Sequence, residues 1–441
     1  MRNIREDAAS VEKKMMAVTT AAAMLSSSIT TNRSQTPVSL AVLSFIPIKN
    51  FNPSLFLFPS YSSSSSSSSP SLEINNKERS KESRIECNIF KGEWVPDPEA
   101  PFYTNKTCWT IQEYQNCMKY GRPDTEFYRW RWKPEDCELQ QFDPAIFLEM
   151  VREKSMAFVG DSLARNHMQS LMCMLSKSLD LDLCAFIHYL SIGQAGSLPV
   201  DPNFQHMYYS EYNFTISMLW SPFLIKAQQV DTEGPNGTGL WDLYLDEADD
   251  HWLSEIKSYD YVIISGGNWF TRPSKFFVEK KLIGCHYCLL NNVTDLTLRY
   301  SHRAAFKTAF SAINAMADFK GKVFLRTVSP THYENGEWNK GGDCVRRRPY
   351  LTSEVKFEWL DEEFYRVQVE EFLKAEMEGK NKGVEFRLMD TTGVMLLRPD
   401  GHPSRYGHWK HENVTLHNDC VHWCLPGPID TWTDFLFHML S

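Results

Sequence analysis

The apolar run Met156-Ala157-Phe158-Val159 stops at Gly160-Asp161-Ser162, and from Leu163 the apolar residues recur at helical spacing through Met168, Leu171, Met172 and Leu175. A short, wholly apolar run reads as a buried strand, and the change of period reads as a helix that starts at once. A buried strand feeding directly into a helix is half of a βα unit, which points to an α/β fold. The turn puts Ser162 at a helix N-terminus, where free backbone N–H groups face whatever a hydroxyl there attacks. Two roles fit it. Asp161 or Ser162 can cap the helix, or Ser162 can be a nucleophile, and the triplet alone does not choose.

The same alternation continues along the chain. Phe142 to Lys154 has helical spacing, with Asp143 as a cap ahead of Pro144. Strands are predicted over 212–220, 259–264, 322–327 and 384–390, and helices over 302–319 and 362–378; residues 240–256 read as a polar helix or loop. This order predicts a parallel sheet with helices on both faces. Ligands of such sheets bind beyond the carboxyl ends of the strands. Gly160-Asp161-Ser162, Gly266-Gly267-Asn268 and the segment after Thr327 fall on that edge.

Three regions follow from composition. In residues 1–86, Arg2, Arg5, Lys13, Lys14 and Arg33 outweigh Glu6, Asp7 and Glu12. An apolar stretch at 38–59 is interrupted by Pro47, Lys49 and Pro53, and its unbroken part is about half of the roughly 20 residues a bilayer core requires. Ser62 to Ser69 and the charged residues after them read as a stem. The expectation is a cytosolic tail, a weak anchor and a stem, the plan of a single-pass type II Golgi membrane protein with its globular part in the lumen. Residues 87–140 form a cysteine-rich, Pro- and Gly-punctuated module, and 141–441 the α/β domain. Trp94, Trp109, Trp130 and Trp132 of the module either pack it or face a groove.

The net charge of −9, with no concentrated basic stripe, argues against a nucleic-acid surface. Aromatic residues make up 13% of the chain, material for core packing or for stacking on sugar rings. All 11 cysteines lie beyond residue 86, and Cys285-x-x-Cys288 and Cys420-x-x-x-Cys424 lack paired ligands at zinc-finger spacing. Disulfides in a secretory compartment fit better. Glycosylation sequons at Asn105, Asn213, Asn236, Asn292 and Asn413 point the same way. No metal is expected: His402, His408, His411, His417 and His422 are dense, but no helical His pair comes with a third ligand.

An activated serine requires a base, and the base a group that fixes its tautomer. Asp419-x-x-His422 offers both, as a carboxylate three residues ahead on a tight turn can accept the imidazole Nδ1–H. The alternative is a loop carboxylate bonding backbone beside a structural histidine. Candidate oxyanion donors are the Ser162 N–H, a backbone N–H of Gly266 or Gly267, and the Asn268 amide. Cys420 and Cys424 flank His422, so bridging them elsewhere would hold its loop; a Cys–His nucleophile pair is the competing use. His402 and His408 are alternative bases, and Arg346-Arg347-Arg348 reads as a solvated charge run.

Taken together, Gly160-Asp161-Ser162 and Asp419-x-x-His422 resemble the plant trichome birefringence-like family of polysaccharide O-acetyltransferases. The likeness includes GRPD at Gly121–Asp124, WRWKP at Trp130–Pro134, GEWNKGGDC at Gly336–Cys344, RPDGHPSRYG at Arg398–Gly407 and DCVHWCLPGPIDTW at Asp419–Trp432. It runs from about Cys87 to the C-terminus. The resemblance implies a GDSL/SGNH-hydrolase-like fold with a minor lobe, and a triad of Ser162, Asp419 and His422. It also implies double displacement through an acetyl-serine, with no bound cofactor but an acetyl donor: acetyl-CoA or another acetyl carrier, supplied by a membrane protein. The family's pattern implies disulfides Cys87–Cys137, Cys108–Cys173, Cys117–Cys420 and Cys344–Cys424, leaving Cys184, Cys285 and Cys288 over. GEWNKGGDC and the His286-Tyr287-Cys288 segment look most like the xyloglucan-acetylating branch, so the expected acceptor is xyloglucan. Gly267-Asn268-Trp269 departs from the family's frequent Gly-His-Trp but keeps a donor.

Overall fold

The chain alternates strands and helices from Gly92 onward: β1 (Gly92–Pro96), β2 (Trp130–Pro134), α1 (Pro144–Met150), β3 (Ser155–Gly160), α2 (Ser162–Leu175), β4 (Phe204–Tyr209), β5 (Phe214–Trp220), β6 (Ile225–Gln229), β7 (Trp241–Ala248), α3 (Asp250–Glu255), β8 (Tyr261–Ser265), β9 (Ser274–Val278), β10 (Lys281–His286), α4 (Thr297–Asn314), β11 (Lys322–Arg326), α5 (Trp359–Lys380), β12 (Glu385–Met389), α6 (Thr392–Leu396) and α7 (Asp430–Leu440). These belong to a computed structural model that describes residues 87–108, 110–176, 204–232, 237–288, 290–408 and 417–441. The expected tail, anchor and stem lie outside the described residues, as does Cys184. Among the described residues no helix is long and apolar enough to cross a membrane.

The main sheet has the order β12-β11-β8-β3-β5-β4. Its first five strands are parallel, as the alternation predicts, while β4 closes the edge antiparallel to β5. The parallel strands are buried on both faces, which is why they read as continuous apolar runs. Met156 and Phe158 of β3 join the core that holds α2 and α7, whereas Ala157 and Val159 join the core that holds α4 and α5. Ile263 and Phe324 take the first side, and Val262, Ile264, Val323 and Leu325 the second.

A second sheet is ordered β10-β9-β7-β6, and its strand β7 takes the first half of the helix or loop expected at 240–256, while the helix α3 occupies the second half. Leu243 and Leu245 are buried at a period of two within β7. The acidic residues before and after them, Asp242, Asp246 and Glu247, made this strand look like polar loop. The helix α4 begins five residues earlier than its amphipathic pattern suggested, at Thr297.

The cysteine-rich module lies within the same compact unit, residues 82–441. Trp94 and Trp132 serve packing. Trp94 and Trp132 face each other across the β1–β2 pair, both are buried, and the Trp94 indole donates to the Val394 carbonyl at 2.9 Å. Trp130 is partly buried, and Trp109 lies outside the described residues.

Five disulfides form among the described residues. Cys87–Cys137 and Cys108–Cys173 are as the resemblance implied. The other two implied pairs are exchanged: the bonds are Cys117–Cys424 and Cys344–Cys420, not Cys117–Cys420 and Cys344–Cys424. One backbone and one side-chain contact between distant segments explain the exchange. The Leu425 N–H donates to the Gln115 carbonyl at 3.0 Å, which sets Cys424 beside Cys117. The Asn418 amide donates to the Gly342 carbonyl at 2.8 Å, which sets Cys420 beside Cys344. Cys285 and Cys288, expected to be left over, bond to each other.

Candidate active site

The turn after β3 is built around Gly160. Its φ of +145° and its contact with β8 leave no room for a side chain, because a Cβ would lie 1.8 Å from the Ser265 carbonyl oxygen. Asp161 then caps α2, accepting the Leu163 N–H at 2.9 Å. The cap is therefore the aspartate, and Ser162 is the first helical residue with its hydroxyl committed elsewhere. Among the parallel strands the chain goes from β3 outward to β5 and then back across to β8, so the strand order reverses between β3 and β8. Ligands of open α/β sheets bind at such a reversal.

The Ser162 hydroxyl meets His422 Nε2 at 2.7 Å, and His422 Nδ1 meets the Asp419 carboxylate at 2.8 Å. The second Asp419 oxygen accepts the backbone N–H groups of His422 and Val421 at 2.9 and 3.1 Å. A carboxylate only accepts, so Nδ1 carries the proton and Nε2 presents its lone pair to the serine O–H. Burial pushes the Asp419 carboxyl up, but the His422 charge and these hydrogen bonds outweigh it and hold it at about 2. Burial favours neutral His422, yet the Asp419 charge raises its imidazole above the ordinary range. Both side chains keep 22% exposure, so the site is open to ligands.

The other expected residues sort as follows. Gly160 pairs with Ser265 across β3 and β8, so Gly266-Gly267-Asn268 leave the sheet at the same edge as Asp161-Ser162. The Gly266 carbonyl accepts the Gln368 amide at 2.7 Å, and the Gln368 oxygen accepts the Val328 N–H at 2.7 Å. Asn268 Nδ2 is buried without a hydrogen-bond partner, an available donor. His402, an alternative base, is committed to His332 at 2.7 Å and to the His422 carbonyl at 2.7 Å. His408 is half-buried, His417 is exposed, and His411 lies outside the described residues. Cys420 and Cys424 are both in disulfides, which excludes them as thiol nucleophiles. Arg346 and Arg348 pair with Glu334 and Glu354. Of the sequons, Asn213 and Asn292 are exposed, Asn105 is partly buried against Asn116, and Asn236 and Asn413 lie outside the described residues.

Three positioning residues escaped the sequence reading. Asn166, one turn after Ser162 and fully buried, accepts the Trp423 N–H at 2.9 Å and donates to the Trp423 carbonyl at 3.4 Å. It ties the His422 loop directly to α2. A polar residue on the buried stripe of α2 was the available signal. Tyr114 of the module sets its ring edge against His422, with centroids 5.3 Å apart. Arg165 lies over the Trp220 ring at 5.0 Å.

Residues 139–439 match the PC-esterase family, described as the GDSL/SGNH-like acyl-esterase family found in Pmr5 and Cas1p, and residues 85–138 match the PMR5 N-terminal domain. The chain is 52% identical to protein trichome birefringence-like 19 of Arabidopsis thaliana, over 83% of this chain and 84% of that protein. It is 43% identical to xyloglucan O-acetyltransferase 4 of Populus trichocarpa, over 80% and 81% of the two chains. It is 39% identical to xyloglucan O-acetyltransferase 2 of Arabidopsis thaliana, over 80% and 83%. A serine at the reversal point of an SGNH-like sheet, a histidine and aspartate in hydrogen-bond series with it, and an N-terminal module bonded to the histidine loop together make this chain a member of the PC-esterase family and of its trichome birefringence-like proteins.

Proposed function

We propose that this protein is an O-acetyltransferase that acetylates hydroxyls of a plant cell-wall polysaccharide, xyloglucan, by double displacement. The observation that carries the reading is the Ser162–His422–Asp419 series, with a serine proton acceptor at 2.7 Å. Its similarity to proteins named xyloglucan O-acetyltransferase supports the acceptor. Ser162 Oγ attacks the acetyl carbonyl of the donor while His422 Nε2 takes the hydroxyl proton. The Ser162 N–H, Gly267 N–H and Asn268 amide are the proposed donors to the oxyanion. Collapse expels the donor's leaving group, which takes the proton from His422, and leaves acetyl-serine. A sugar hydroxyl then attacks that ester, passing its proton to His422, and releases Ser162. Asp419 keeps the histidine in the productive tautomer and stabilises its cation.

The donor is acetyl-CoA or another acetyl carrier delivered by a membrane protein, and the setting is the Golgi lumen, with an N-terminal anchor. The sequons and the five disulfides support a secretory setting. Incubation of the full chain with an acetyl donor and de-acetylated xyloglucan tests the reading. Acetylated polymer is the expected product. Release of acetate without acetylated polymer would make the protein an acetylesterase using the same residues, and acetylation of xylan, mannan or pectin instead would move the acceptor.

A further inference from the structure

The GEWNKGGDC segment has no part in the Ser162–His422–Asp419 series, yet the structure spends many bonds on holding it. Glu334 and Asp343 exchange both backbone hydrogen bonds, at 2.7 and 2.8 Å, and close the loop on itself. Gly342 is required there, since a Cβ would lie 2.2 Å from the Gly336 carbonyl oxygen. The closed loop is then fixed to the segment that carries Asp419. Cys344 bonds Cys420, the Asn418 amide donates to the Gly342 carbonyl at 2.8 Å, and the Tyr333 hydroxyl donates to the Asn418 carbonyl at 3.3 Å. The glycines and the cysteine of the motif are explained by this closure. Trp338 is not. It is 57% exposed, and its only ring neighbour among the described residues is His417, edge-on at 5.3 Å and itself exposed.

The closure and the disulfide hold the loop that presents this indole to water. The cations around it are paired, and one carboxylate is held by a neutral amide. Lys340 pairs with Glu337 at 2.9 Å, Asn335 bonds Asp343 at 2.9 Å, and Arg346 pairs with Glu334 at 2.7 Å. A flat apolar face in a polar rim whose cations are already paired suits a neutral pyranose ring, whose axial C–H groups present an apolar face and whose hydroxyls point sideways. An anionic uronate chain finds no free cation among these residues. His417 is two residues from Asp419, so ring contact, chain reach and the Asp419–His422–Ser162 series keep Trp338 within roughly 20 Å of Ser162, a span of up to several sugar units.

We propose that Trp338, with His417 at its edge, is a stacking subsite for the neutral backbone of the polysaccharide acceptor, remote from the reacting hydroxyl. This rests on the transferase reading above and adds a length requirement: long acceptors reach the subsite and short ones do not.

The test uses the full chain and three readouts on Trp338→Ala and Trp338→Phe: transfer to de-acetylated xyloglucan polymer, transfer to a short xyloglucan oligosaccharide, and hydrolysis of 4-methylumbelliferyl acetate. Trp338→Ala is expected to raise KM for the polymer roughly tenfold, the worth of one aromatic stack. It leaves oligosaccharide transfer and ester hydrolysis within twofold, and Trp338→Phe recovers most of the loss. An unchanged polymer KM, or an equal loss in all three readouts, overturns the subsite. Retardation in a gel containing xyloglucan, compared between Ser162→Ala and Ser162→Ala with Trp338→Ala, reads binding without turnover. Equal retardation refutes the subsite even if the wild type transfers no acetyl group, whereas lost transfer with Trp338-dependent retardation refutes the transferase reading alone.

Discussion

Asp419→Asn separates orientation from packing at the reaction centre. Asp419 accepts three hydrogen bonds, two from backbone N–H groups and one from His422 Nδ1. An asparagine of the same shape keeps its oxygen on the two backbone donors and turns its NH2 toward Nδ1. Nδ1 then has to accept, and the ring proton moves to Nε2, facing Ser162. The histidine can no longer take the serine proton, so kcat is expected to fall by about 10³–10⁴. The cost in stability is separate. A carboxyl held at about 2 against an ordinary 3.8 contributes roughly 2 kcal/mol, fully present above the unfolded value and lost as pH falls through the folded one. At neutral pH the variant therefore loses up to about 2 kcal/mol in denaturant unfolding, while the fold survives. The assay is aryl-acetate turnover beside urea unfolding and circular dichroism. A folded variant that keeps more than a tenth of wild-type kcat would refute the assigned role of Asp419.

Asn166→Ala leaves the buried Trp423 N–H without its acceptor and should cost about 1–3 kcal/mol in urea unfolding, with a loss of turnover at temperatures where the protein remains folded. Turnover should rise with pH through a midpoint above 6.5, because His422 acts as a base only when neutral and its pKa is raised; a midpoint below that value would show that Asp419 does not govern it. The same raised pKa means that the charged pair contributes stability below 6.5 and loses it as pH climbs through the folded value. Non-reducing peptide mapping should recover Cys344 with Cys420 and Cys117 with Cys424; a Cys117–Cys420 peptide would contradict the contacts described above.

The parallel core was legible because its strands are buried on both faces, and a run such as Met156–Val159 can be little else. The four-stranded sheet was not, because β7 buries only Leu243 and Leu245 and shows acidic residues outward. Ser162, Asp419 and His422, which lie in one hydrogen-bond series, were singled out through local patterns, a strand–turn–helix step and a carboxylate three residues before an imidazole. Asn166 and Gln368 were missed because their partners, Trp423 and the Gly266 and Val328 backbone, are distant in sequence. The disulfides divide the same way. Cys420 and Cys424 are four residues apart on one loop, and only the long-range contacts of Gln115 and Gly342 decide which of them faces Cys117.

The central claim is that Ser162 becomes acetylated and passes the group on. Rapid acid quench of the full chain with an activated aryl acetate, followed by mass spectrometry of the peptide containing Ser162, tests it most directly. The account predicts one acetyl group on Ser162 that accumulates without acceptor, disappears when xyloglucan is added, and is absent from Ser162→Ala. Turnover with the acetyl group on another residue, or with none on Ser162 at any quench time, would contradict it.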